Sequence, residues 1–167
     1  MNILTAIQRI GCRGCPVRNL ALRYPPAPAL TSPVDGKEVA QILIKNGVPA
    51  NIIHQSDKSY HLVGLTELKG FLKWYSNLSG YRSDDYDCDD FSIDMKANVA
   101  QWSKGKILFG IIWAMSDIGS PKSFGSHAFN WTISVNKQLY FCDQLGVAVN
   151  KDSFIPAYKV QAFNVLF

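Results

Sequence analysis

Three residues that can perform nucleophilic chemistry follow one another in the second half of the sequence: Cys88, His127 and Asp143. A cysteine attacks a carbonyl carbon as its thiolate, a histidine takes and returns the proton, and an acid holds the imidazole in the required tautomer. Cys88 begins a predicted helix, where the helix dipole favours a thiolate. The sequence therefore predicts a catalytic site with Cys88 as nucleophile, His127 as base and Asp143 as orienting acid.

The third member of this site depends on how two predicted strands pair. His127 and Asp143 lie opposite each other if an odd-membered loop joins the strands, whereas a two-residue turn places Asp143 opposite Asn130. Cys142 and Gln144 flank the acid and compete with it for the role. Strand alternation puts these two neighbours on the face opposite to that of Asp143.

Acidic residues crowd the start of the helix that carries Cys88. Their negative charge opposes a thiolate, so a bound cation is expected to offset it. Carboxylate oxygens are the ligands that calcium prefers, although the spacing is not that of an EF-hand loop. The sequence predicts a calcium site formed by Asp87, Asp89 and Asp90, and the alternative is that Asp87 caps the helix while the other acids are solvated.

Apolar periodicity predicts helices in the first part of the domain and strands in the second. The predicted helices run from Gly36 to Asn46-Gly47, from Thr66 as N-cap to Tyr75, and from Cys88 to Trp102. The predicted strands cover residues 107–115, 127–135, 139–143 and 158–167. This order predicts an α+β fold with a helical layer on one side of an antiparallel sheet.

Composition limits the class of protein and its partners. The 167 residues are 47% apolar and 18% charged, as expected of a folded domain. A net charge of +4 is too small to predict a nucleic-acid partner, and no apolar run is long enough to predict a membrane span. Residues 1–10 lack a signal-peptide core, so a cytoplasmic location and free thiols are expected.

The first 35 residues differ from the rest in composition. They contain four arginines and a proline-rich run at residues 24–28, which blocks both helix and sheet. We therefore predict a basic, proline-rich arm over residues 1–35 and one domain over residues 36–167. Cys12 and Cys15 in this arm lack a second ligand pair at zinc-site spacing and are predicted to be unassigned thiols.

Three sequence blocks resemble a known family. They are YDCDDFS at 86–92, SHAFN at 126–130 and LYFCDQ at 139–144. They are similar to the cysteine, histidine and acid blocks of papain-like proteins, in particular the agglutinin C-terminal domain family, a calcium-dependent cysteine peptidase domain of a mushroom lectin. Small lectin-related phage and prophage proteins share this similarity, and bacterial transglutaminase-like cysteine peptidases share it more distantly. The resemblance covers about residues 60–146.

The resemblance has implications for fold, activity and site. It implies a papain-like domain that hydrolyses peptide or isopeptide bonds in a protein substrate, with Cys88 as nucleophile, His127 as base and calcium as cofactor. The family's acid block reads Glu-Pro-Gln, which aligns Cys142 with the glutamate and Gln144 with the glutamine, whereas the transglutaminase-like pattern favours Asp143. The alternative function is an inactive phage or prophage protein that uses the same scaffold to bind a host protein.

Overall fold

The computed structural model describes residues 24–76, 87–116, 126–143, 155–156 and 160–167. Three α-helices and eight strands lie within these ranges, together with a short 3-10 turn at Ala50–Ile52. The helices are Gly36–Lys45 (α1), Leu65–Ser76 (α2) and Cys88–Ser103 (α3). No helix in the described residues is both long and apolar enough to span a membrane.

The helices form where the apolar periodicity predicts them. α1 begins after Asp35, whose side chain accepts a hydrogen bond from the backbone N–H of Lys37 at 2.7 Å, and ends before Gly47, which has a φ of +90°. That φ lies in the left-handed region, where glycine is favoured. α2 starts at Leu65, so the prediction that Thr66 is its N-cap is wrong, because Thr66 lies inside the helix.

The strands form a six-stranded sheet and a separate two-stranded ribbon. The large sheet has the order β2-β8-β4-β5-β6-β7, and the ribbon pairs β1 with β3. All pairs are antiparallel except β2 with β8, which are parallel. The strands are Pro33–Asp35 (β1), Ile53–His54 (β2), Ser59–His61 (β3), Gly110–Ser116 (β4), His127–Ile133 (β5), Leu139–Cys142 (β6), Ile155–Pro156 (β7) and Val160–Leu166 (β8).

The α+β prediction is confirmed, with two corrections to the sheet. The sheet is mixed rather than purely antiparallel, because β2 adds to its edge in parallel. β4 starts at Gly110 instead of residue 107, because the preceding residues pair with β3: Leu108 donates its backbone N–H to the carbonyl of His61 at 2.9 Å. The papain-like arrangement of these elements stays a prediction.

Each face of the large sheet has its own apolar core. One cluster contains side chains of α1 and of one sheet face, including Leu43, Phe129 and Phe141. The other contains side chains of α2 and α3 with Cys142 from the opposite face of β6. The sheet is therefore covered on both faces, which explains why β5 is buried along its whole length. The prediction of a helical layer on one side only is wrong, because α1 packs on one face and α2 and α3 pack on the other.

Candidate functional site

A buried histidine–carboxylate contact joins the start of β5 to the end of β6. Nε2 of His127 lies 3.2 Å from Oδ2 of Asp143, and the side chains are 6% and 1% exposed. Cys142 belongs to the core cluster on the other side of the sheet. Strand alternation thus directs Asp143, and not Cys142, to the face of His127.

The loop between β5 and β6 sets this geometry. Asn130 pairs with Cys142 and Ile133 with Leu139, and the backbone N–H of Ser134 donates to the carbonyl of Gln138 at 2.9 Å. The loop therefore has three residues, 135–137, and Lys137 takes a φ of +59°. Continuing this register places Asp143 opposite Phe129, two residues from the predicted partner His127 and one residue from Asn130. His127 therefore reaches Asp143 diagonally rather than directly across the strands.

A second polar group lies at the N-terminus of α3. Asp87, Cys88 and Asp89 each offer a possible ligand atom, and these atoms all lie within 4.8 Å of one another. Asp87 caps the helix by accepting a hydrogen bond from the backbone N–H of Asp89 at 3.3 Å. Asp90 is not part of this group, although the sequence predicts it as a calcium ligand.

The carboxyl groups of Asp87 and Asp89 share a hydrogen bond that separates their pKa values. The bond to Asp87 raises the pKa of Asp89, and burial adds to the increase. The same bond lowers the pKa of Asp87. A divalent cation could replace the shared proton, so these two carboxylates fit as part of a calcium ligand set, whereas the soft sulfur of Cys88 does not.

Ser92 connects the first turn of α3 to β5. Its hydroxyl lies 2.7 Å from the carbonyl oxygen of Cys88 and 3.1 Å from that of Ala128. Asn130 adds a second connection, because its Nδ2 donates to the carbonyl of Ser92 at 3.0 Å and to that of Gly110 at 3.2 Å. Sequence reasoning missed both residues, although a buried amide in an apolar strand was an available signal.

Most of the predicted site residues thus fall into two groups, and one predicted residue lies outside the described ranges. His127 is paired with Asp143, and Cys88 lies with Asp87 and Asp89. Gln144, predicted as a further member of the site, lies outside the described residues.

Comparison with protein families gives one match. Residues 73–146 match the family model described as agglutinin C-terminal, which is less than half of the chain and includes α3, β4, β5 and β6. This match confirms the resemblance to that family and gives no evidence for a papain-like peptidase. A search among curated proteins found no match.

Two solved structures resemble this chain. A structure described as the PSL1a–E64 complex has a TM-score of 0.63 and 22% sequence identity. Polyporus squamosus lectin bound to the human-type influenza-binding epitope Neu5Aca2-6Galb1-4GlcNAc has a TM-score of 0.62 and 22% identity. Both similarities cover 81% of this chain, which spans only 51% and 49% of those chains. They establish a shared fold.

The prediction of a thiol hydrolase with a Cys-His-Asp triad is wrong. The matched family model describes an agglutinin, and the similar structures include a lectin with a bound glycan. The predictions of a cysteine peptidase and of a peptide substrate are wrong for the same reason.

Proposed function

We propose that this chain is a binding domain without hydrolase activity, and that its ligand is a glycan carried by a host protein. The observation that supports the proposal most is the agglutinin C-terminal match over residues 73–146, together with a fold shared with a glycan-bound lectin. This function is close to the alternative from the sequence, a protein that binds a host protein. The proposed function differs from that alternative because the chain would contact the glycan and not the polypeptide of the host protein.

The N-terminal turn of α3 is the proposed ligand face. Carboxylates accept hydrogen bonds from sugar hydroxyls, and Asp87 and Asp89 place two of them side by side. Calcium bound by these two residues would neutralise them and offer open coordination positions to the ligand. The buried pair of His127 and Asp143 would then support the neighbouring strand ends without touching the ligand.

Binding to a glycoprotein tests the proposal. The full chain is titrated against a sialylated glycoprotein, against the same protein after enzymatic removal of its glycans, and against free Neu5Aca2-6Galb1-4GlcNAc. We expect saturable binding to the intact glycoprotein and loss of binding after deglycosylation. Equal binding to both protein forms would contradict glycan recognition, and no binding to either form would contradict the binding function.

Variants at α3 test the proposed face. Asp89→Asn is expected to weaken glycoprotein binding at least fivefold, since it removes one of the paired carboxylates. Asp90→Asn is the matched control, because Asp90 occupies the next position of the same helical turn and is outside the paired group. Equal effects of the two variants would place the glycan elsewhere.

A further inference from the structure

The residues that precede β1 cross the surface of α2 and α3 in the manner of a bound peptide. Prolines at positions 25, 26 and 28 fix φ at about −65° and favour the extended polyproline II conformation. Such a segment has no internal hydrogen bonds, so its carbonyls are available to donors on the surface it contacts. Proteins that recognise proline-rich peptides supply those donors from grooves lined with aromatic rings.

Three aromatic rings form such a surface. Phe71 of α2 stacks on Trp102 of α3 with 4.6 Å between ring centroids, and Trp74 lies 5.4 Å from Phe71. Tyr24 packs onto them, 5.2 Å from Trp74 and 6.3 Å from Phe71. We call the surface formed by Phe71, Trp74 and Trp102 the aromatic groove.

Polar contacts fix the segment in this groove. The indole N–H of Trp102 lies 3.1 Å from the carbonyl oxygen of Pro25 and 2.9 Å from that of Pro26. The hydroxyl of Tyr24 contacts Oδ1 of Asn98 at 3.2 Å and Oε1 of Gln101 at 2.6 Å. These contacts recognise a tyrosine side chain followed by the carbonyls of two prolines.

The contacts continue beyond the prolines. Pro28 is buried, and the backbone N–H of Ala29 donates to Oε1 of Glu67 on α2 at 3.1 Å. Thr31 then exchanges hydrogen bonds with the backbone of Leu62 through its hydroxyl, at 3.0 and 3.1 Å. Residues 24–31 therefore lie along one continuous track on the domain.

We propose that the aromatic groove is a binding site for a tyrosine-proline-proline segment of a partner protein, and that residues 24–28 occupy it as an intramolecular ligand. The bound segment itself defines the partner chemistry, because ring stacking, the Trp102 donor and the two side-chain amides are all matched to it. A tethered ligand has a local concentration in the millimolar range, so an external segment competes only when the tethered one is weakened or displaced. This proposal does not depend on glycan recognition.

A peptide titration tests the proposal on the full chain. The probe is a fluorescein-labelled peptide with the sequence of residues 24–31, and binding is followed by fluorescence anisotropy. We expect saturable binding to Tyr24→Ala and at least tenfold weaker binding to the wild type. Adding Trp102→Phe to Tyr24→Ala is expected to weaken binding threefold to tenfold, because one donor is lost.

The controls separate specific binding of the peptide from nonspecific binding. A peptide in which alanine replaces its tyrosine must bind at least tenfold more weakly, and circular dichroism must show Tyr24→Ala to be folded. If that variant is unfolded, Tyr24→Phe is titrated instead and is expected to bind the peptide more tightly than the wild type does. Absence of saturable binding up to millimolar peptide would overturn the proposal. So would wild-type dimerisation that Tyr24→Ala abolishes, since the occupant would then be a second copy.

Discussion

Nε2 of His127 and Oδ2 of Asp143 are 3.2 Å apart in a site where neither side chain is more than 6% exposed. His127 is also stacked on Phe129, with 5.6 Å between ring centroids. Buried polar groups are tolerated when they are paired. The pair therefore joins two strands at the point where their backbone pairing ends.

Asp143→Asn tests how much this pair stabilises the fold. The variant removes the charge that faces the imidazole, and we expect it to lower the free energy of unfolding by about 1–3 kcal/mol. Urea denaturation at neutral pH measures the change. Glu38→Gln is the control, because it breaks the exposed contact with Lys137 and should cost less than about 1 kcal/mol. Equal losses in the two variants would mean that burial adds nothing to the His127–Asp143 pair.

Calcium is expected to raise the melting temperature of the wild type at millimolar concentration, because a ligand bound only by the folded state stabilises it. The effect should disappear in Asp89→Asn and remain in Asp90→Asn. Calcium has to displace the proton that Asp87 and Asp89 share, and the pKa of Asp89 is raised. The calcium-induced shift should therefore grow as pH rises through that raised pKa. A pH-independent shift, or one that survives Asp89→Asn, would place the ion elsewhere.

Tyr24 gives a pH-dependent prediction for the aromatic groove. Burial, followed by the charge of Asp94, raises the pKa of Tyr24 above its ordinary value of 10.0. A raised pKa means that the stabilising contribution of the hydroxyl is complete below pH 10.0 and is lost as pH increases through the folded-state value. The hydroxyl contacts Asn98 and Gln101, so wild type should be more stable than Tyr24→Phe at neutral pH. Because the pKa of Tyr24 is raised, this difference should shrink above pH 10. Thermal unfolding of both chains from pH 7 to 11 measures it, and a constant difference would exclude the hydroxyl as its source.

The sequence predicts the long elements of this fold well because their signals are local. Val39 and Leu43 in α1, or Met95 and Val99 in α3, repeat at the helical period and are buried as that period requires. β1, β2 and β3 were missed because two or three residues cannot display an alternating pattern. The pairing of Ile53 with Val165 joins positions far apart in the chain, and no local pattern encodes it.

Sequence patterns predict only part of the site. Alternation correctly separates Asp143 from Cys142, but the register of β5 and β6 depends on a left-handed backbone at Lys137, a lysine that carries no turn signal of the glycine or asparagine kind. The functional error has a different origin. Residue types at suitable intervals predicted a triad, but the same residues form a buried histidine–carboxylate pair and an acidic helix cap. A scaffold does not fix its chemistry.

Two glycine substitutions test the packing within the sheet and the exposure of one side of α2. A Cβ at Gly110 would lie 2.3 Å from ring atoms of Trp131 and 2.6 Å from the carbonyl oxygen of Leu166. Neither neighbour can move freely, because Trp131 is fully buried and its indole N–H donates to the carbonyl of Ile111 at 3.2 Å. Gly110→Ala should therefore lower the free energy of unfolding by about 1–3 kcal/mol.

Gly70→Ala should have the opposite sign. Gly70 lies inside α2, and a Cβ there has no atom within 4 Å, so alanine adds helix propensity without a clash. We expect a gain of about 0.5–1 kcal/mol, because glycine loses more backbone entropy in a helix than alanine does. Urea denaturation of both variants measures the contrast. Stabilisation by Gly110→Ala would show that β4 does not approach Trp131 and β8 as closely as described, and destabilisation by Gly70→Ala would show that this side of α2 is covered.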